Sequence, residues 1–173
     1  MTDVPRQTSD QAAPRPARAL PALGRVMVGA TLWAVLMGLS AWYGVSALDW
    51  ETRGRITSII LLFAAGAFFA FPLGILVARL LTGRGGREVA FAAAFLSLAV
   101  ATIGITSLIF AFDYRTYYAE WHDDELSIRL VFEVVFTTLS AVYQFAVLGV
   151  RLYFPVGFLG LFVASWWFAR QRN

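Results

Sequence analysis

The sequence predicts an all-α, polytopic membrane protein with four transmembrane helices, a cytoplasmic amino terminus and an amphipathic helix before the last span. Apolar residues make up 59% of the 173 residues and charged residues only 14%, against roughly 25% charged residues in an ordinary soluble domain. The 14 basic residues are all arginines, and they fall mainly at the ends of long uncharged stretches. This distribution is typical of a chain that crosses lipid several times.

The amino-terminal region, 1–22, is rich in Pro, Ala, Arg and Gln and is predicted to be a disordered cytoplasmic tail. A single transmembrane domain is predicted over 23–173. Its first span, 26–48, is uncharged and long enough to cross about 30 Å of hydrocarbon. Val45-Ser46-Ala47 resembles the cleavage site of a signal peptide. However, signal peptides use only about 7–15 apolar residues, so we favour an uncleaved anchor.

The second and third spans are predicted over 56–80 and 89–112, both with uncharged interiors. Pro72 lies inside the second span and should kink it, because proline removes one backbone hydrogen bond. Such a defect is tolerated in membranes where neighbouring groups satisfy the freed carbonyl.

The carboxyl-terminal region permits two interpretations. A single span over 144–168, preceded by an amphipathic segment over about 117–143, places Trp166, Trp167 and Arg170 at a membrane interface. Five spans would need a turn around 149–155, which leaves the last helix short of the usual 20 or so residues. We therefore favour four spans.

The placement of arginine predicts the orientation. Arginines flank the first span on its amino-terminal side and surround the connection between the second and third spans, whereas the loop over 113–125 is acidic. The positive-inside rule then puts both termini in the cytoplasm. The absence of lysine beside abundant Arg, Ala and Gly suggests a bacterial source, and hence a multi-pass protein of the inner membrane.

Polar residues after the third span recur with helical spacing. At 100° per residue, those from Arg129 to Arg151 fall within about 80° of arc, and Glu125 continues the pattern backward. This polar stripe comprises Glu125, Arg129, Glu133, Thr137, Ser140, Gln144 and Arg151. Three interpretations remain open: a surface helix with its stripe toward water, a stripe that faces a partner subunit or the rest of the bundle, or the lining of a solute or proton path.

The acidic loop contains His122, Asp123, Asp124 and Glu125. His122 and Glu125 would share a helical face, which invites a metal-site or acid–base hypothesis. His122 is the only histidine and the chain has no cysteine, so few further ligands are available. We interpret the loop as a solvated acidic segment, and we predict no catalytic residue, metal or cofactor.

Small residues repeat every four positions along the second span, which lets helix backbones approach closely. They are Gly66, Ala70, Gly74 and Ala78. A similar run, Ala93, Ser97 and Ala101, occupies the third span. The spacing predicts a compact helical bundle.

The sequence contains no phosphate-binding loop, recognisable nucleophile or cofactor motif. The leading hypothesis is a non-catalytic accessory, assembly or scaffold subunit of a membrane complex, in contact with the lipid bilayer and with other membrane subunits or itself. The alternatives are a small transporter or channel component that uses Arg129, Glu133 and Gln144, and a membrane enzyme with an outward-facing site at His122–Glu125. Arginines at span ends do not follow a phosphate backbone, so no nucleic-acid partner is predicted.

Overall fold

The computed structural model describes residues 19–48, 53–119 and 128–171, and every secondary-structure element within them is helical. The all-α prediction is therefore confirmed. Between α4 and α5 the chain forms a π-helical turn, Phe145–Gly149, and a 3-10 turn, Val150–Tyr153. The α-helices are α1 Ala19–Ala47, α2 Arg53–Thr82, α3 Arg87–Ala119, α4 Ile128–Gln144 and α5 Val156–Arg170.

Four helical stretches are long and apolar enough to cross a membrane: Leu23–Ala47, Arg55–Thr82, Arg87–Tyr114 and Val134–Tyr153. Their outer surfaces carry large apolar side chains, among them Leu80 (71% exposed) and Val100 (69% exposed). Such a surface is unfavourable in water and is the expected one in lipid. The chain is a multi-pass membrane protein with four helices able to span.

Two ends of the bundle serve as reference points. The Leu48 end is where α1 ends and α2 begins, and the Arg84 end is where α2 ends and α3 begins. At the Arg84 end, Gly83 has a positive φ of 46°, a conformation that glycine adopts without steric cost and that commonly terminates helices.

α2 and α3 pack with little space between their backbones. A Cβ atom added at Gly66 would lie 2.8 Å from Thr106 Cα, and one added at Gly74 would lie 3.1 Å from Leu98 Cα. Ala70 and Ala78 are fully buried. The structure thus places Gly66 and Gly74 against α3, where a larger side chain would push the two helices apart.

The carboxyl-terminal region differs from the expected single helix over 144–168. The helix that begins at Ile128 continues past Gln144 to Tyr153, and it then breaks at Phe154 and Pro155. Phe154 is extended, with φ −100° and ψ 140°, and Pro155 has no N–H to continue a helical ladder. α4 is the most amphipathic of the five α-helices. It covers the carboxyl-terminal part of the predicted amphipathic segment, while residues 120–127 lie outside the described ranges.

Residues 145–170, here called the interrupted segment, run in one direction despite the break. Their ring contacts and hydrogen bonds on α3 descend steadily toward the Arg84 end. The pairs are Phe145 with Phe110, Tyr153 with Thr106, Phe158 with Phe95 and Phe162 with Phe91. The α3 partners span 19 residues, or about 28 Å of helix, close to the thickness of a bilayer's hydrocarbon core.

Candidate functional site

A cavity of about 310 Å³ lies between α1, α3 and the interrupted segment. Its floor is formed by Trp33 and Met37, which are 4% and 2% exposed. Phe154 and Phe158 are exposed and line its opening to the outside of the bundle. The remaining lining comes from Phe95, Ala99, Thr102, Ile103, Val150, Tyr153, Gly157 and Leu161. Because this lining is almost wholly apolar, the cavity suits a hydrocarbon group better than a polar solute.

One serine hydroxyl bridges the break in the interrupted segment. The Ser40 hydroxyl donates to the Leu152 carbonyl oxygen (2.9 Å) and accepts from the Gly157 N–H (3.0 Å). These two backbone groups lie on opposite sides of Phe154 and Pro155. In lipid, no water is present to satisfy them, so an unpaired group would be costly. Ser40 is fully buried and supplies both partners from α1.

A second set of hydrogen bonds connects α1, α3 and the interrupted segment beside the cavity. The Trp33 indole N–H donates to Thr102 Oγ1 at 3.1 Å. The Tyr153 hydroxyl donates to Thr106 Oγ1 at 2.9 Å, and the Thr106 hydroxyl donates to the Thr102 carbonyl oxygen at 2.7 Å. Each polar ring substituent at the site therefore has a partner, and the cavity wall is held by three elements at once.

Glycines allow α1 and the interrupted segment to approach closely. A Cβ atom at Gly44 would lie 3.2 Å from Leu152 Cα, and one at Gly157 would lie 3.1 Å from Met37 Sδ. In this narrow space the short Ser40 side chain reaches both sides of the break.

No protein-family model, curated protein or solved structure matches this chain. Its function therefore has to be argued from the geometry of the described residues.

The described residues of the predicted polar stripe do not form part of the cavity lining. Thr137 is half-buried, whereas Ser140, Gln144 and Arg151 are exposed on the outside of the bundle. None of these four residues lines the cavity. Arg129 and Glu133 belong to α4, but their side chains lie outside the described set, as do the whole of Glu125 and His122. Across the described residues, no group of three or more His, Asp or Glu side chains could hold a metal ion.

Sequence inspection did not single out the residues that build the cavity wall. No sequence pattern distinguishes these residues from others in apolar helices. They are Trp33, Ser40, Thr102, Thr106 and Tyr153. The available signal was Pro155 with Gly157 and Gly160 inside the predicted single span over 144–168, since proline and glycine are typical of helix breaks. A helix break in lipid requires substitute hydrogen-bond partners, and that requirement points to a buried hydroxyl somewhere in the bundle. It does not say which one, since Ser40 lies 112 residues from Leu152.

Proposed function

We propose that this protein is a non-catalytic accessory or scaffold subunit of a membrane complex, which binds another membrane protein through the outer face of α4. The proposed setting is the inner membrane of a bacterium. The observation that carries the proposal is the exposure of Ser140 and Gln144 on a helix with few neighbours in its own chain. In the candidate span Val134–Tyr153 only 17% is buried, against 28–39% in the other three.

Polar side chains exposed on a membrane helix are stabilised by hydrogen bonds to a neighbouring helix. The Gln144 amide lies one residue before the π-helical turn, and that turn buries Phe145 against Phe110. Gln144 therefore lies next to the residues that pack against α3, within the candidate span Val134–Tyr153. Polar side chains there form hydrogen bonds between helices worth about 0.6 kcal/mol each on average. A second membrane protein on this face would satisfy Ser140 and Gln144 together.

The described residues give no support to the alternative of a transport path. A proton or ion path through lipid uses titratable side chains inside the bundle. The fully or nearly buried polar side chains among the described residues are serines and threonines: Ser40, Thr82, Ser97, Thr102, Thr106, Ser107 and Ser165. The side chains of Arg129 and Glu133, on which that alternative rests, lie outside the described set, and we base the scaffold proposal on the exposure of Ser140 and Gln144.

Photo-crosslinking tests the partner-binding face. A benzoylphenylalanine placed at Gln144 should give one discrete crosslinked protein in native membranes. The same probe at Val100, which is also exposed but lies on α3, should not give that product. Gln144→Leu in otherwise wild-type protein should reduce recovery of the same partner without lowering the yield of inserted chain. Crosslinks to lipid alone at both positions would contradict the proposal.

The proposed orientation has both termini in the cytoplasm. Arg84 and Arg87 lie at the Arg84 end, and Phe168 and Ala169 pack there against Ala78 and Ala90. Arg170, which stacks on Trp166 at 3.7 Å, therefore belongs to the same end. Gathering of arginines at one end supports the cytoplasmic assignment of that end.

Alkaline phosphatase fusions test this orientation, because the enzyme is active only outside the cytoplasm. Fusions at Trp50 and Trp121 should be active, and fusions at Gly85 and Asn173 inactive. An active fusion at Asn173 would mean that residues 128–170 cross the membrane an even number of times.

A further inference from the structure

We propose that the cavity beside the interrupted segment binds one phospholipid, with an acyl chain inside the cavity and the phosphate at Arg151. This site is independent of the α4 face proposed for a partner protein. It rests on the shape and lining of the cavity, on the position of Arg151 and on the order of these two features along the membrane normal.

The cavity has the properties of an acyl-chain site. Its volume of about 310 Å³ lies within the range of about 300–1,000 Å³ typical of small-molecule pockets. Along α3 it extends from Phe95 to Ile103, or about 12 Å of helix, so it is elongated across the membrane. Its opening, at Phe154 and Phe158, lies on the outer surface of the bundle, where lipid chains are the solvent.

Arg151 lies next to the opening of the cavity. It belongs to the 3-10 turn Val150–Tyr153, and its carbonyl oxygen accepts a hydrogen bond from the Phe154 N–H at 3.1 Å. Val150, Tyr153 and Phe154, which flank Arg151 along the chain, all line the cavity. The Arg151 side chain is exposed and forms no salt bridge with Glu88 or Asp113, the two carboxylates whose side chains the structure describes.

The depth of Arg151 suits a phosphate. Its neighbour Leu152 packs against Gly44, four residues before Leu48, or about 6 Å of helix from the Leu48 end. An uncompensated guanidinium is costly at this depth, but its long side chain can extend to the headgroup region. There it can donate two parallel hydrogen bonds to phosphate oxygens.

Arg151 and the cavity follow each other along the membrane normal in the same order as the phosphate and the acyl chain of a phospholipid. Val150 and Ile103 mark the cavity end nearer Arg151, and Leu161 and Phe95 mark the end nearer the Arg84 end. A phospholipid of the leaflet at the Leu48 end would enter with its phosphate at Arg151 and its chain pointing toward the membrane centre. No other exposed arginine among the described residues lies beside this opening.

Native mass spectrometry of the full chain released from mild detergent tests the site, with dioleoylphosphatidylglycerol as the probe. The wild type should retain one lipid per chain. Dioleoylglycerol, which has the same chains and no phosphate, should bind at least about tenfold more weakly, because it lacks the acceptor for Arg151. Equal retention of the two lipids would overturn the assignment of Arg151.

Two variants and their controls distinguish binding of the lipid headgroup from binding of the acyl chain. Arg151→Gln should weaken retention of the phospholipid about tenfold, whereas Arg170→Gln, which makes the same charge change at the Arg84 end, should not. Ala99→Phe should fill the cavity and abolish retention, while Ala92→Phe, on the exposed side of α3, should leave it unchanged. Uniform adducts in all four variants would mean adventitious lipid only and would overturn the site.

A fluorescence measurement covers the case in which Ala99→Phe does not fold. Trp33 is buried from bulk lipid but lines the cavity. In a chain whose other five tryptophans are replaced by phenylalanine, phospholipids brominated on the acyl chain should quench Trp33. Arg151→Gln should reduce that quenching. Absence of quenching in the protein that carries Arg151 would show that no acyl chain enters the cavity.

Discussion

The α2–α3 pair and the interrupted segment satisfy their backbone hydrogen bonds in lipid in different ways. α2 and α3 keep their backbone hydrogen bonds within each helix and gain contact by removing side chains at Gly66 and Gly74. The interrupted segment gives up its own ladder at Phe154 and Pro155, and it relies on Ser40 of another helix to replace the lost bonds. A membrane helix can therefore be stabilised by its own backbone or by its neighbours.

The two regions also differ in how closely their helices pack. α2 and α3 approach closely at Gly66 and Gly74, whereas the break lies beside the cavity, which Tyr153, Phe154 and Gly157 help to line. The interrupted segment therefore contributes to the cavity wall. We expect mutations in the two regions to differ in size and in kind.

The largest expected effect is at the α2–α3 contact. Gly74→Ile would force a branched side chain against the backbone of α3 at Leu98, which lies 3.1 Å from an added Cβ. Overpacking of this kind costs about 1–3 kcal/mol, and the upper end applies because the obstacle is backbone. Thermal unfolding in mild detergent measures the loss.

Gly104→Ile is the matched control for that substitution. An added Cβ at Gly104 meets nothing within 4 Å, and the residue is exposed on α3. It makes the same chemical change without the steric conflict. Equal destabilisation by Gly74→Ile and Gly104→Ile would show that helix propensity, rather than the α2–α3 contact, sets the stability.

An intermediate effect is expected at the break. Ser40→Ala leaves the Leu152 carbonyl and the Gly157 N–H without their shared partner, and an unsatisfied buried group costs about 1–3 kcal/mol. Ser46→Ala, on the exposed side of the same helix, removes a hydroxyl without this role. If both variants unfold at the wild-type temperature, the interrupted segment does not depend on α1 for its backbone bonds.

The smallest expected effect is at the cavity wall. Tyr153→Phe removes the hydrogen bond to Thr106 but leaves the Thr106 bond to the Thr102 carbonyl in place. The expected loss is about 1 kcal/mol, the net value of an ordinary hydrogen bond. Tyr143→Phe, at an exposed tyrosine of α4, serves as the control. A loss at Tyr153 as large as that at Ser40 would mean that the wall, and not the serine bridge, holds the segment.

The spans were readable from sequence because lipid imposes a simple rule. A helix that crosses hydrocarbon needs about 20 residues without charge. The first three predicted spans lie within α1, α2 and α3, except that the first extends one residue beyond α1, to Leu48. The position of Gly66 and Gly74 against α3 follows the same logic, since spacing by four keeps residues on one face.

The interrupted segment was not readable in the same way. The prediction of the polar stripe assumed 100° per residue as far as Arg151. The π-helical and 3-10 turns over 145–153 have other periods. The partner of the broken backbone lies on α1, and a contact over 112 residues leaves no local pattern. Long-range hydrogen bonding, rather than composition, decides how this region packs.

The serine bridge, in which Ser40 binds Leu152 and Gly157, also limits when the interrupted segment can assemble with α1. Ser40 lies in α1, and the carbonyl group and the N–H group that it binds follow 112 and 117 residues later, at Leu152 and Gly157. Until residues 152–157 have been synthesised, that hydroxyl has nothing of the break to bind. Until α1 is beside them, those residues carry unpaired backbone groups that resist release into lipid. We expect the serine bridge to form only after residues 152–157 have been synthesised and lie beside α1.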